Sequence, residues 1–190
     1  MFKLFQVLLA ASLFASPALG QVIAGLAFNY EEESAKNNTT DAEVQQTRQT
    51  FNLGIGYRFT SGVFAGAKYY QKNTISDTSL TIAGVTTTTT SKELTTGMGV
   101  TVGYYADNGF LIQGSYILEP QRESASVDYY GGDGMMFDVA YRFAMGDFAF
   151  GPQLTYTSFT YKKEKSAGVE SDVDFTQTHM LPMLAVWMTF

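Results

Sequence analysis

Cysteine is absent and histidine occurs once. The first absence excludes a disulfide scaffold, a thiolate zinc site and a cysteine nucleophile. The second leaves histidine-rich metal sites and histidine-based triads short of parts. Basic residues are also few: 12 Lys plus Arg stand against 18 Asp plus Glu, a formal net charge of −6, which disfavours nucleic acid as a partner. Beyond the first 20 residues no apolar run approaches the roughly 20 residues of a spanning helix, leaving a soluble periplasmic domain or a membrane β-barrel. No metal or cofactor is expected. What is present is an aromatic-rich chain of 190 residues, 45% apolar and 16% charged, with 18 Gly. At roughly 100–200 residues per domain, that is one domain.

The N-terminus points to export. Met1-Phe2-Lys3 is a short basic start, Leu4 to Ala15 an apolar stretch, and Ala18-Leu19-Gly20 a small-residue cleavage site. This is the layout of a secretory signal peptide over 1–20, too short to span as a helix and interrupted by Pro17. The mature domain is then 21–190; it loses only Lys3 among charged residues and becomes one unit more negative.

Strict alternation recurs eight times along that domain. One face of successive segments reads Val22 to Tyr30, Phe51 to Phe59, Val63 to Tyr69, Met98 to Tyr104, Phe110 to Leu118, Met135 to Phe143, Phe148 to Tyr156 and Pro182 to Phe190, every second residue apolar or aromatic almost without exception. The other face is expected to be small or polar. A soluble β-sandwich also alternates, so the charges discriminate. Every Asp, Glu, Lys and Arg of the mature chain falls in a connection, at a strand end or on the inward face, and none on the apolar face. A charge facing lipid near the midplane costs about 2–4 kcal/mol, whereas one facing water costs nothing. The pattern therefore predicts an all-β fold, an eight-stranded antiparallel up-and-down transmembrane barrel with no free edge.

The connections alternate in length. Thr60-Ser61-Gly62, Ala106-Asp107-Asn108 and Ala144-Met145-Gly146-Asp147 read as tight turns, and 31–49, 72–94, 119–133 and 161–179 as long loops. Short periplasmic turns and long extracellular loops are the usual bias of outer-membrane barrels, which predicts a cell outer-membrane location with both mature termini in the periplasm. In these features 21–190 resembles the small eight-stranded Gram-negative outer-membrane barrels of the OmpA transmembrane-domain, OmpX and OmpW kind. The resemblance is most specific in the terminal strand, where Leu184, Val186, Met188 and Phe190 match the alternating, aromatic-ended signal that the barrel-assembly machinery reads in that family. It implies that machinery as a partner, along with outer-membrane lipid and lipopolysaccharide.

Candidate site residues follow from parity. Arg58, Lys68, Asp138 and Arg142 face inward, with Glu119 near the outer rim, as a lumen charge network. Lys68 should lie opposite Gly54, beside the Gly97/Gly99 region, and Asp138 opposite Gln153. Gly54, Gly56, Gly97 and Gly99 leave room in the lumen, but they stand at period two within strands, not in the strand-to-helix turn that a phosphate-binding loop requires. Two readings compete for this interior: a stabilising polar plug, or a narrow path for small solutes or ions. Eight strands ordinarily enclose only enough space for side chains, which favours the plug.

His179 is the one candidate acid–base residue, so a catalytic role would rest on it. Its position loosely resembles that in lipid A deacylases of this barrel size, which place Ser two residues beyond the catalytic His; this chain has Leu181 there. No catalytic residue is therefore assigned, and a lipid A-modifying enzyme is the third reading. The segments 31–49 and 119–133 are acidic, and 71–94, with Thr86 to Thr90, is rich in β-formers. It is expected to protrude as a hairpin whose edge can add a strand to a surface partner. The reading as a whole is a non-enzymatic structural or surface-interaction protein.

Overall fold

A sheet with one apolar and one mixed face hides the mixed face most completely by closing on itself, and this chain does so. The computed structural model describes residues 20–37, 42–82 and 85–190. The leader read over 1–20 lies outside the described residues except for Gly20. Ten strands are described: β1 (Gly20–Asn37), β2 (Ala42–Phe59), β3 (Val63–Ile82), β4 (Val85–Tyr105), β5 (Phe110–Ser124), β6 (Val127–Tyr130), β7 (Asp133–Tyr141), β8 (Phe143–Met145), β9 (Phe148–Ser166) and β10 (Val169–Thr189). All pairings are antiparallel, and β10 pairs with both β9 and β1, so the sheet is closed. β6, β7 and β8 run in succession against β9 and form one interrupted stave, so the expected eight positions around the wall carry ten strands.

The expected outer face is the outer face. Leu26, Phe28, Leu53, Val100, Val102, Ile112, Phe137, Val139, Phe150, Leu154, Leu184 and Val186 are exposed, while their sequence neighbours Ala27, Asn52, Thr101, Asp138, Gln153 and Ala185 are buried. Aromatic residues border this apolar belt: Tyr57, Phe59, Tyr104, Tyr141 and Phe148 at the tight-turn end, Tyr30, Phe51, Tyr69, Tyr116 and Tyr156 at the other. Such girdles suit the two interfaces of a bilayer, where a ring has both apolar and polar surroundings.

Three expectations need correction. Connections read as long loops are mostly strand: β1 and β2 stay paired to Asn37↔Ala42 and β9 and β10 to Ser166↔Val169, while β3 and β4 stay paired to Ile82↔Val85 as the hairpin expected over 71–94. Beyond the belt the outer face meets water, so apolar alternation vanishes although the backbone ladder does not. The turn before β9 is also tighter than read, because Ala144 and Met145 belong to β8.

Glu119 is the second correction. Counting by twos from Gln113 points it inward, yet it is exposed. The β4–β5 register shifts between Thr96↔Gln121 and Met98↔Leu118, so Glu119 and Pro120 together face the single Gly97. This is a β-bulge with Glu119 at φ 47°; the extra residue turns Glu119 out and Pro120 in.

Third, the interior is not simply small and polar. Phe64, Tyr70, Tyr105, Leu111, Ile117, Met136, Phe159, Tyr161 and Trp187 are buried within it. A lumen of this size is filled by side chains, and large ones on one stave need small ones opposite. Gly25 is an example: a Cβ there would lie 2.7 Å from Cδ1 of Trp187. Gly25→Val is expected to displace the indole at a cost of about 1–3 kcal/mol of overpacking. Trp187 is the sole tryptophan, so its emission should shift to the red and the urea midpoint should fall.

Candidate functional site

The centre of the lumen is built on Lys68. β3 turns it inward between Gly54 of β2 and Gly99 of β4, as parity placed it. Lys68 Nζ forms an ion pair with Oδ2 of Asp138 on β7, and the two side chains are 2% and 0% exposed. The same carboxylate accepts hydrogen bonds from Gln113 Nε2 (2.8 Å), Gln153 Nε2 (3.0 Å) and Thr155 Oγ1 (2.6 Å). Thus β3, β5, β7 and β9 are tied across the lumen through one buried anion. A buried pair is tolerated when its remaining donors and acceptors are satisfied, and around Asp138 they are. Asp138 lies opposite Thr155 and not, as counted from the turn, opposite Gln153, whose register partner is Ala140; the two-residue offset comes from the tighter turn at Gly146. Gln153 still reaches the carboxylate from its neighbouring inward position.

Little space remains. A cavity of ≈ 20 Å³ is lined in part by Asn52, Gly54, Lys68, Gln113, Gln153 and Trp187, enough for about one water. Of the four glycines expected to make room, only Gly54 does: a Cβ there would meet nothing nearer than Ala67 O at 3.8 Å. At Gly56 it would lie 2.4 Å from Ala65 O, at Gly97 2.5 Å from Ile117 Cγ2 and at Gly99 1.9 Å from Tyr116 O. Those three permit close packing instead of opening a path.

The other charges expected in one network are separate. Arg58 sits at the tight-turn rim, its guanidinium 2.6 Å from Asp107 and 3.0 Å from Tyr105 O. Arg142 lies 4.7 Å over the Tyr105 ring, and the Phe64 ring packs against Tyr105 with centroids 4.9 Å apart. Glu119 is outside altogether. At the C-terminus, Leu184, Val186 and Phe190 are exposed and Met188 is half-buried, all on the outer face. Phe190 exchanges backbone hydrogen bonds with Val22 at 2.9 and 3.3 Å, so the last residue helps to close the barrel.

A second cluster, of which the sequence singled out only His179, lies above the belt at the hairpin end. Lys72 continues the inward row Lys68, Tyr70, Lys72, and its Nζ lies 2.8 Å from His179 Nε2 of β10. Extending the parity of β3 by two residues past the belt would have found it. Burial pushes Lys72 down to about 8, against the pull of Glu93, and burial with the Lys72 and Arg48 charges pushes His179 down to about 4. The neutral imidazole therefore accepts a hydrogen bond from the ammonium. Beside it Arg122 pairs with Glu93 at 2.6 Å and lies over the rings of Tyr129 and Phe175, at 5.3 and 5.5 Å.

This arrangement has a pH consequence. The folded His179 binds a proton less readily than the unfolded one, so acidification stabilises the unfolded chain first. The His179 contribution to stability should be intact above about pH 6.5 and decline as pH falls toward about 4. Urea midpoints at pH 7.5 and 4.5 should differ by less in His179→Gln than in the parent.

A closed antiparallel sheet, an uninterrupted apolar belt with aromatic borders and a charge-paired, side-chain-filled interior define a transmembrane β-barrel of the outer-membrane kind. No known protein family matches the chain, and no curated protein does. Among solved structures it is similar to the outer-membrane protein OprG of Pseudomonas aeruginosa (14% identity, 91% of this chain and 96% of that one, TM-score 0.45). It is also similar to the outer-membrane protein AlkL in lipid bilayers (11%, 93% and 92%, 0.36) and to the β domain of the Bordetella autotransporter BrkA (19%, 88% and 69%, 0.36). At these identities the likeness concerns the fold alone, which the strand pairing establishes independently.

Proposed function

We propose that the protein is an integral outer-membrane barrel with a plugged lumen and a non-enzymatic structural or surface-interaction role. The mature termini face the periplasm and the long hairpins the exterior. The observation that carries the plug is the buried Lys68–Asp138 pair, which holds four strands across the lumen and leaves ≈ 20 Å³ beside it. The terminal strand is the element offered to the barrel-assembly machinery. The outer belt contacts membrane lipid and lipopolysaccharide, and the 71–94 hairpin, whose β4 edge runs unpaired with β5 from Val85 to Lys92, is a surface for a protein partner. Against catalysis stand the engagement of His179 Nε2 by Lys72 Nζ at 2.8 Å and the presence of Leu181 where the deacylases place serine. A lipid A product formed by the purified barrel and lost in His179→Ala would overturn the non-enzymatic reading.

The second reading is a narrow conducting path, which would pass through the cavity beside Gly54. Planar-bilayer recording separates the two. Silence is expected of the plug, and reproducible openings abolished by Gly54→Phe would establish the path. Gly54 is the position to use, because at Gly99 any side chain collides with the Tyr116 carbonyl.

A further inference from the structure

The closing seam is the weakest line in the wall. β1 pairs with β2 over all of Gly20–Asn37, and β10 pairs with β9 from Met188 to Val169 across one bulge. Between β1 and β10 the ladder runs only from Ile23↔Thr189 to Phe28↔Leu184. Above that point, among the described residues, the two strands continue without pairing to each other.

Pro182 explains the stop. Val22 and Phe190 exchange backbone hydrogen bonds across the seam, so even-numbered residues of both strands point their N–H and C=O toward each other. The pair after Phe28↔Leu184 would be Tyr30 with Pro182, and proline has no N–H to give. Its carbonyl is taken instead by Asn29 Nδ2 at 2.7 Å. Higher on β10, Thr176, Thr178 and Met180 turn their backbone groups into the seam, where β1 offers no ladder.

Carboxylates outnumber cations around this edge. Asn29 Oδ1 and Gln177 Oε1 are buried acceptors without a donor among the described residues, and Asn29 is 7% exposed. The bordering stretches of β1 and β10 carry Glu31, Glu32, Glu33, Glu170, Asp172 and Asp174 against Lys36. Arg48 of β2 pairs with Glu31 and Glu33, and Lys162 and Lys163 of β9 pair with Asp174 and Glu170, which leaves Glu32 and Asp172 without an ion pair among the described residues. Acceptors in excess and carboxylates in excess select an occupant rich in donors and positive charge. A second copy of this chain would set acid against acid, and an anionic lipid headgroup would meet the same repulsion.

We infer that the β1–β10 seam above Phe28 and Leu184 is a strand-addition site for an extended cationic peptide, which pairs with β10 along Thr176, Thr178 and Met180. Main-chain hydrogen bonds supply its affinity and the flanking carboxylates its choice of charge. The site is separate from the 71–94 hairpin and from the lumen, so it stands whether or not the barrel conducts.

The probe is a blocked octapeptide alternating lysine and valine, added to the full mature barrel in detergent micelles. Binding that weakens with salt is expected, with slowed hydrogen exchange at the amides of Thr176, Thr178 and Met180. Thr178→Pro removes a donor that faces the seam and spares the β9 ladder, so it should weaken binding by at least about tenfold. Should that variant fail to fold, Met180→Pro tests the same edge, and the exchange pattern of the parent tests it without substitution. The peptide with alternate backbone nitrogens methylated, or with glutamate for lysine, should not bind. Equal binding of the methylated peptide, protection confined to the 71–94 hairpin, absence of binding, or cross-linked dimers through the seam would each overturn the assignment.

Discussion

Asp138→Ala should destabilise the barrel by about 3–5 kcal/mol, the usual cost of leaving one member of a buried ion pair without its partner. Lys68 is 4% exposed and has Asp138 as its ion-pair partner in the lumen, so the ammonium would face Gln113, Gln153 and Thr155 with their donors turned toward it. A lower urea midpoint is expected for the variant in micelles, read by loss of the heat-modifiable band on a gel. Combining Asp138→Leu with Lys68→Met should recover most of the loss, since removal of both charges also removes both desolvation costs. If Asp138→Ala alone matched the parent, the pair would not be the keystone of the lumen.

Val139→Arg, one residue away, should cost about 2–4 kcal/mol for the opposite reason. Asp138 is buried and Val139 is 42% exposed, on the side that faces hydrocarbon. In water an exposed Val→Arg substitution at a β position is close to neutral. Refolding Val139→Arg into lipid vesicles and titrating with urea therefore distinguishes lipid contact from solvent contact directly. Arginine at Val44, exposed on β2 but beyond the apolar belt, should have almost no effect and serves as the matched control. A penalty at Val44 equal to that at Val139 would contradict a membrane belt of this height.

Much of this architecture can be read from spacing. Period-two alternation assigns Phe51, Ile55, Val139 and Leu154 to one face and Lys68 and Asp138 to the other, because in a strand parity is geometry. Tight-turn chemistry then sets the register that puts Lys68 opposite Gly54. Parity fails where a residue is added: the bulge at Glu119 and Pro120 reverses every assignment beyond it, and in Leu118-Glu119-Pro120 the proline marks an interrupted ladder without fixing which residue is extra. The pattern also falls silent where the belt ends. Lys72, Arg122, His179 and Phe175 lie on strands whose outer neighbours meet water, so no apolar rhythm marks them.

Residue types and their order determine the class: no cysteine, one histidine, eight apolar alternations and charges kept off one face leave a barrel in a membrane and little else. Which side chains meet across the lumen is decided only in the closed wall. Asp138 gathers donors from β3, β5 and β9, and Lys72 reaches His179 more than 100 residues away, because closure and shear bring distant staves to a common height. The same holds for the seam, where the effect of Pro182 appears only once the parity of β10 is set against that of β1.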